Sequence, residues 1–405
     1  MLAARILFII SLLGIVGAIN ALAKPNHDRN WHLRPWWLFA VLTGELVPLR
    51  VAIHAALAGV LAGFGALDHR IGRVGLTLTL VTWVGYAVLQ ARAARTKRVM
   101  NDTLDAAGTA PAAMTRPPWH RILAGYPYRL PSSVERVDDI EYMVGHHMDL
   151  YRTGGTTLRP AVLQIHGGSW RGGNRRQQAR PLLHGLAERG WVTASVSYPL
   201  VPAASATDQL ISLKRAIAWM RTEGAGYGID PGFIAVTGGS AGGHLAALVA
   251  LTANRPEYQP GFEGVDTSVQ AAVPLYGIYD LLNRNATRDD WPIVQHLMRA
   301  PKRDAEERYR EASPLDQVGP HAPPFLVIHG ESDSVVSLAE ADQFVEALEA
   351  VSNEPVVYAK VPGANHAFDL LYSVRSHHVI NGIERFLRSL TTEPPARTQG
   401  VVGSR

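Results

Sequence analysis

The stretch Phe233-Ile-Ala-Val-Thr-Gly-Gly-Ser-Ala-Gly-Gly-His-Leu-Ala-Ala-Leu248 joins a β-rich run to an Ala/Leu-rich helical run through a glycine-rich turn. Within the turn, Gly238, Ser240 and Gly242 form a G-x-S-x-G pattern in the strand–turn–helix setting that this pattern requires. The sharp turn exposes the serine hydroxyl, and the flanking glycines avoid collisions that side chains would cause there. The N-terminus of the following helix favours developing negative charge. We therefore predict that Ser240 is a nucleophile rather than part of an ordinary turn.

A serine hydroxyl is a poor nucleophile unless a base removes its proton. In this strand–turn–helix class, an acid and then a histidine follow the serine along the chain. Asp333 comes just after the predicted strand 325–328, and His366 comes just after 356–361. We predict that His366 transfers the proton while Asp333 fixes its tautomer and stabilises the imidazolium. The alternative acids are Glu331 and, more distantly, Asp316.

A second glycine-rich loop, His166-Gly-Gly-Ser-Trp170, follows the predicted strand 161–165. Its glycines let the backbone N–H groups of Gly167 and Gly168 point at a substrate oxygen. The N–H of Ala241, next to the nucleophile, is the third predicted donor. Together these groups predict an oxyanion hole, in which each donor stabilises the transition state by a few kcal/mol.

Other residues near these motifs have two interpretations each. His166 is interpreted as supporting its loop by hydrogen bonding rather than as a base. Trp170 either lines the acyl pocket or packs beneath the loop, and Tyr276 is a candidate pocket residue. Residues 280–322, rich in Arg, Asp and Glu, form either part of a lid or a solvated helical excursion. The remaining histidines considered are interpreted as structural: His244, His329, His377 and His378.

Short β-rich runs alternate with helical runs from about residue 119 onward, which predicts an α/β fold with a mainly parallel sheet covered on both faces. The predicted strands are 161–165, 192–196, 233–237, 271–275, 325–328 and 356–361. The predicted helices between them are 178–189, 206–221, 242–253 and 339–351. Residues 137–143 and 148–152 predict an antiparallel hairpin at the sheet edge. We assign 119–393 to this domain, 99–118 to a connector and 394–405 to a disordered tail.

Three apolar stretches predict a helical transmembrane region over residues 1–98. The predicted spans are 5–23, 36–67 and 73–92. A cleaved signal peptide would explain only the first of them. The middle stretch is long for one upright span, and Pro48 could kink it or divide it into two half-helices. Glu45 and Arg50 are costly inside lipid, so we expect them to face one another, a neighbouring helix or an interface.

The distribution of basic residues orients this region. One side of the three spans carries Lys24, Arg29, Arg34, Arg92, Arg95, Lys97 and Arg98, and the other carries Arg5, Arg70 and Arg73. The positive-inside rule then places the N-terminus outside and the large domain on the cytoplasmic face. The sequence thus predicts an integral, multi-pass membrane protein.

Charge and cysteine content exclude several classes of function. Residues 1–100 contain 11 of the 39 Lys and Arg residues but only 3 of the 35 Asp and Glu residues, a net charge of +8. Residues 101–405 contain the other 28 basic and 32 acidic residues, a net charge of −4. The larger part has no basic stripe, which argues against a nucleic-acid partner. The chain has no cysteine, which excludes disulfides, thiolate-bound metals and a cysteine nucleophile.

With these motifs in place, the chain resembles the hormone-sensitive-lipase-like branch of the α/β-hydrolases, in particular bacterial membrane-attached carboxylesterases. The resemblance covers the predicted catalytic domain and rests on His166-Gly-Gly-Ser-Trp170, Gly238-Gly-Ser-Ala-Gly-Gly243, Asp333 and His366. It implies an α/β-hydrolase fold and hydrolysis of carboxylic esters through an acyl-enzyme, without a metal or an organic cofactor. Two positions depart from the family pattern and loosen the substrate inference. They are Ser169, where the family has a third glycine, and Gly239, where an acidic residue often precedes the nucleophile.

The resulting prediction is a membrane-anchored serine carboxylesterase or lipase that acts on small-molecule or lipid acyl esters. An amidase, a formamidase or an acyltransferase would use the same triad, because a fold does not decide function. A membrane scaffold without activity is the third alternative, and the intact Ser240, Asp333 and His366 argue against it.

Overall fold

A computed structural model of the chain describes residues 1–23, 36–111, 115–124 and 129–391. Its centre is an eight-stranded sheet with the order β1-β2-β4-β3-β5-β6-β7-β8. The strands are β1 (Glu135–Met143), β2 (His146–Arg152), β3 (Arg159–Ile165), β4 (Val192–Val196), β5 (Ile229–Gly239), β6 (Ala271–Leu275), β7 (Phe325–Gly330) and β8 (Val356–Val361). The strands β3 to β8 pair in parallel, and the β1–β2 hairpin joins β4 antiparallel at one edge. The predicted α/β sheet is confirmed.

Helices cover both faces of this sheet and extend from it at the N-terminal end. They are α1 (Leu2–Leu22), α2 (Trp36–Glu45), α3 (Val47–Gly63), α4 (Arg70–Ala106), α5 (Trp119–Ala124), α6 (Arg180–Ala187), α7 (Ala206–Thr222), α8 (Ala241–Leu251), α9 (Pro292–Met298), α10 (Glu306–Glu311), α11 (Leu338–Val351) and α12 (Val374–Thr391). Every residue of β4 and β6 is buried, as expected for parallel strands with helices on both faces. The predicted tail 394–405 lies outside the described residues.

Three N-terminal helices, α1, α3 and α4, pack side by side as a bundle. At one end, the Met1 amino group is 2.9 Å from Nε2 of His69, the residue before α4. Further along, the hydroxyls of Ser11 and Thr79 are 2.7 Å apart. At the other end, a small apolar cluster is built from Ala18, Val47, Tyr86 and Leu89. Just beyond this end, Ala93 of α4 packs with Tyr372 and Val374, so the catalytic domain joins the bundle where α1 finishes and α3 begins.

The bundle has the composition of a membrane region. Within the described residues, α1 and α4 are each long and apolar enough to cross a bilayer, and the pair α2–α3 would add a third crossing if it counts as one bent span. The bend between α2 and α3 is 84° and falls at Leu46, with Pro48 in the first turn of α3. The predicted span 36–67 is thus two helices, the second of the two alternatives. Three of the basic residues used to orient the region, Lys24, Arg29 and Arg34, lie outside the described residues.

The N-terminal region is attached to the catalytic domain through buried contacts. Helix α4 continues to Ala106, eight residues past the predicted end of the membrane region at 98, and its Met100 and Leu104 are part of a core cluster that includes residues of α12. Glu45 does not face Arg50 but forms a buried ion pair with Arg375, at the start of α12. The Arg50 guanidinium instead donates to the Leu42 carbonyl at 3.3 Å.

Candidate active site

Ser240 occupies the turn between β5 and α8 in a strained backbone conformation. Its φ and ψ are 59° and −124°, in a region that residues with a side chain rarely occupy. Its N–H donates to the Leu275 carbonyl at 3.0 Å, which ties the turn to β6. A side chain at Gly238 would collide with the Gly242 carbonyl, and one at Gly242 would collide with the Ile165 carbonyl. Both glycines are therefore required by the close approach of backbone.

Asp333 and His366 lie on the loops that follow β7 and β8, at the same edge of the sheet as Ser240. Nδ1 of His366 is 2.8 Å from Oδ2 of Asp333. The other carboxylate oxygen of Asp333 accepts the N–H groups of Val335 and Val336, each at 2.8 Å. Burial alone would raise the pKa of Asp333, but the charge and hydrogen bond of His366, with the charge of His329 nearby, hold it below its usual value. This carboxyl is thus an anion that orients the His366 ring.

Ser240 and His366 line the same cavity, which has a volume of about 170 Å³. Gly167, Gly168 and Tyr276 also line it, so the structure brings most of the predicted site residues together. The rival acids lie elsewhere. Glu331 is exposed, and Asp316 pairs with surface arginines.

The predicted oxyanion loop needs one correction. The N–H of Gly167 already donates to Oε1 of Gln178 at 2.7 Å, and Nε2 of Gln178 donates back to the Gly167 carbonyl at 3.2 Å. Within the described part of the chain, the N–H groups of Gly168 and Ala241 have no protein acceptor. These two groups are therefore the available donors for a substrate oxygen. The sequence placed Gln178 at the start of a helix and gave no signal for its contact with the loop.

His166 contacts this loop through its ring and its carbonyl. Its Nδ1 lies 2.9 Å from the Gly167 carbonyl, and its ring stacks on Tyr198 with the centroids 4.4 Å apart. The Tyr198 hydroxyl donates to the His166 carbonyl at 2.7 Å. Burial lowers the pKa of His166, so the neutral ring donates to Gly167 from Nδ1.

Trp170 packs beneath the loop and does not line the cavity, which decides between its two predicted positions. Its side chain is fully buried, and its indole N–H donates to Nδ1 of His244 at 3.0 Å. The other nitrogen of His244 lies 2.8 Å from the Ala312 carbonyl. Burial lowers the pKa of His244 to about 4, so this histidine is neutral and structural.

Tyr276 lies in the cavity wall beside the nucleophile turn. Its ring centroid is 4.7 Å from that of His366, and its hydroxyl donates to the carboxyl of Asp369. A side chain at Gly239 would collide with this hydroxyl. The tyrosine thus fills the space beside the position where related proteins often carry an acid. Burial raises the pKa of Asp369, a cavity residue that the sequence analysis did not identify.

The segment 280–322, a candidate lid, does not lie over the cavity. No described residue of 280–322 lines the cavity. That segment packs against α11 instead, where Arg288 forms a buried ion pair with Glu340 at 3.3 Å. The cavity wall includes Trp37 of α2, whose ring centroid lies 6.3 Å from that of His366. Leu281, Trp291 and Leu297 of this segment are buried in the main core cluster, so 280–322 does not fit the solvated excursion either and is a packed part of the domain.

Comparison with known proteins matches residues 148–348 to the family model described as BD-FAE. The chain is 35% identical to the probable carboxylic ester hydrolase LipM of Mycobacterium tuberculosis over 95% of both chains. It is 45% identical to Esterase LipQ of the same organism, over 56% of this chain and 55% of that one. Among solved structures, a truncated carbohydrate esterase from gut microbiota aligns with a TM-score of 0.54 at 20% identity. The alignment covers 62% of this chain and 96% of that one, and it supports the fold.

Proposed function

Since the chain belongs to the hormone-sensitive-lipase-like esterases of the α/β-hydrolase superfamily and is an ester-hydrolysing enzyme, we propose that it is a membrane-anchored serine carboxylesterase. In this proposal Ser240, His366 and Asp333 form its catalytic triad. The observation that carries the proposal is the cavity that holds both Ser240 and His366, with Asp333 hydrogen-bonded behind the histidine at 2.8 Å. The substrates are acyl esters, including esters derived from membrane lipids.

The proposed reaction has two steps, and His366 acts in both. The Ser240 hydroxyl attacks the ester carbonyl while Nε2 of His366 takes its proton, and the N–H groups of Gly168 and Ala241 stabilise the negative oxygen. His366 then protonates the alcohol oxygen, which leaves as the acyl-enzyme forms. Water, deprotonated by the same histidine, then attacks the acyl carbon. His366 returns this proton to the Ser240 oxygen as the carboxylic acid leaves.

A fluorophosphonate probe tests the nucleophile, because it phosphonylates an activated serine with loss of fluoride. We expect the full-length protein to be labelled and Ser240→Ala not to be labelled. Ser132→Ala is the control, since Ser132 is exposed and does not line the cavity, and it should be labelled like the unmodified protein. An unlabelled, folded wild type, or equal labelling of Ser240→Ala, would contradict the proposal.

Membrane anchoring is supported by the surface of the N-terminal bundle. Many large apolar side chains of α1, α3 and α4 are exposed at the surface of the bundle. Large exposed apolar patches are unusual on soluble proteins and mark contact with a membrane or a partner. The exposed side chains include Ile9 at 54%, Leu13 at 60%, Val60 at 57% and Val84 at 67%. The basic residues at the catalytic end of α4 favour a catalytic domain on the cytoplasmic face.

The absence of cysteine makes this orientation directly measurable. Val144, in the turn between β1 and β2, is 90% exposed, and Phe64, at the opposite end of the bundle, is 78% exposed. With a membrane-impermeant maleimide, Val144→Cys should be labelled only after the cells are permeabilised, and Phe64→Cys should be labelled in intact cells. The opposite pattern would place the catalytic domain outside.

A further inference from the structure

Helix α2 belongs to the N-terminal apolar region, yet it forms part of the catalytic cavity. Trp37 is half-buried and lines the cavity together with Ser240 and His366. Its ring meets the His366 ring edge to face, at an interplanar angle of 81° and with 6.3 Å between the centroids. The other residues that line the cavity lie between positions 164 and 370. The site as it stands is thus completed by a side chain from the membrane region.

The position of α2 is fixed at its C-terminal end. Glu45 accepts a hydrogen bond from the Ser373 hydroxyl at 2.7 Å and is ion-paired with Arg375. Glu45 and Arg375 are 3% and 1% exposed. Because a buried ion pair is lost only at high cost once formed, the helix is held against the catalytic domain. Trp37 therefore lies in a defined place beside His366.

Other side chains of α2 are exposed and point away from the catalytic domain. Trp36 and Leu38, on either side of Trp37, are 52% and 42% exposed. One residue beyond the end of α2, the chain bends by 84° into α3, which runs beside α1 and α4. Exposed aromatic residues at the end of a membrane bundle are typical of the bilayer interface. Helix α2 thus lies between the catalytic cavity and the lipid-facing surface.

The proposed mechanism indicates whether the acyl portion or the alcohol portion of an ester lies next to Trp37. His366 donates its proton to the alcohol oxygen as the alcohol leaves, so a side chain packed on the His366 ring lies beside the alcohol portion of the substrate. The cavity, at about 170 Å³, is smaller than the ~300 Å³ at the lower end for drug-sized ligands. A long alcohol would therefore have to extend out of the cavity.

We propose that Trp37 is a specificity-determining residue that contacts the alcohol portion of the ester and directs it along α2 toward the bilayer. The substrates are then esters of membrane-resident, long-chain alcohols. This inference rests on the proposed function of the triad. It assigns α2 a role in substrate selection in addition to its role in the anchor.

Two ester series test this assignment with the full-length protein reconstituted in phosphatidylcholine vesicles. The first series keeps the acetyl group and lengthens the alcohol from ethyl to octyl, and the second keeps the ethyl alcohol and lengthens the acyl group from acetyl to octanoyl. For Trp37→Ala, we expect the octyl-to-ethyl ratio of kcat/KM in the alcohol series to fall about tenfold, since the contact with several methylene groups is lost. The ratio in the acyl series should change less than about twofold.

Trp36→Ala is the matched control, because it removes the neighbouring indole from the exposed side of the same helix. Both of its ratios should stay within about twofold of the wild type. Trp37→Phe should recover most of the alcohol ratio, and Trp37→Leu replaces the alanine variant if that variant does not fold. An unchanged alcohol ratio in the Trp37 variants, an equal fall in Trp36→Ala, or a change confined to the acyl series would overturn the inference. A wild type that lacks both fluorophosphonate labelling and turnover would instead contradict the triad itself.

Discussion

His366→Ala is expected to lower kcat for ester hydrolysis by on the order of 10⁴- to 10⁶-fold, as losses of a triad histidine do in other serine hydrolases. The imidazole lines the cavity beside Ser240, and without it no group takes the serine proton or protonates the leaving alcohol. KM should change little, because the histidine acts on the reacting atoms rather than on substrate binding. The measurement is steady-state hydrolysis of a p-nitrophenyl ester, with burst analysis to separate acylation from turnover.

Asp333→Asn should leave a small residual rate, lower than the wild type by on the order of 10⁴-fold. The amide would present an N–H group toward Nδ1 of His366, which favours the wrong tautomer of the ring. The control is His321→Ala, because His321 is exposed and its loss should change kcat less than about twofold. If His366→Ala keeps more than about a tenth of the wild-type rate, the base has been assigned wrongly.

The positions of the proposed triad residues were predictable because their signals are local. A nucleophile on a strand–turn–helix needs small residues on both sides, and Gly238 and Gly242 meet this need where backbone approaches backbone. Asp333 and His366 follow buried strands, and the carboxyl ends of parallel strands meet at one edge of a sheet. Sequence order therefore places such residues at the same edge of the sheet without knowledge of any tertiary contact.

The surroundings of the site depend on contacts between distant segments and were not predictable. The bond between Gly167 and Gln178 joins two loop positions, and nothing in their spacing indicates it. Residues 36–67 were interpreted as a span because they are apolar except at Thr43, Glu45, Arg50 and His54, and a mostly apolar segment does not indicate which face packs against protein. The position of Trp37 beside His366 follows from the pairing of Glu45 with Arg375, which are 330 positions apart.

Glu45→Ala is expected to lower the free energy of unfolding by about 3–5 kcal/mol, because it leaves the Arg375 charge buried without its partner. Among the described residues, the contacts that Arg375 retains are long ones to the carbonyls of Pro362 and Gly363, at 3.3 and 3.4 Å. The expected result is a decrease in Tm of at least about 5 °C. It is measured by intrinsic tryptophan fluorescence in detergent micelles, at constant protein and detergent concentration.

Two further variants separate the loss of a partner from the loss of a charge. Glu45→Met combined with Arg375→Met should recover most of the lost Tm, since replacing both members of a buried pair by apolar side chains is often neutral or stabilising. Asp102→Ala removes the acid of the Arg98–Asp102 pair, whose side chains are 85% and 64% exposed, and should change stability by less than about 1 kcal/mol. A Glu45→Ala protein as stable as Asp102→Ala would show that the buried pair does not hold α2 against the catalytic domain. In that case Trp37 would lose its fixed position beside His366, because the only ion pair that α2 makes among the described residues would contribute nothing to its attachment.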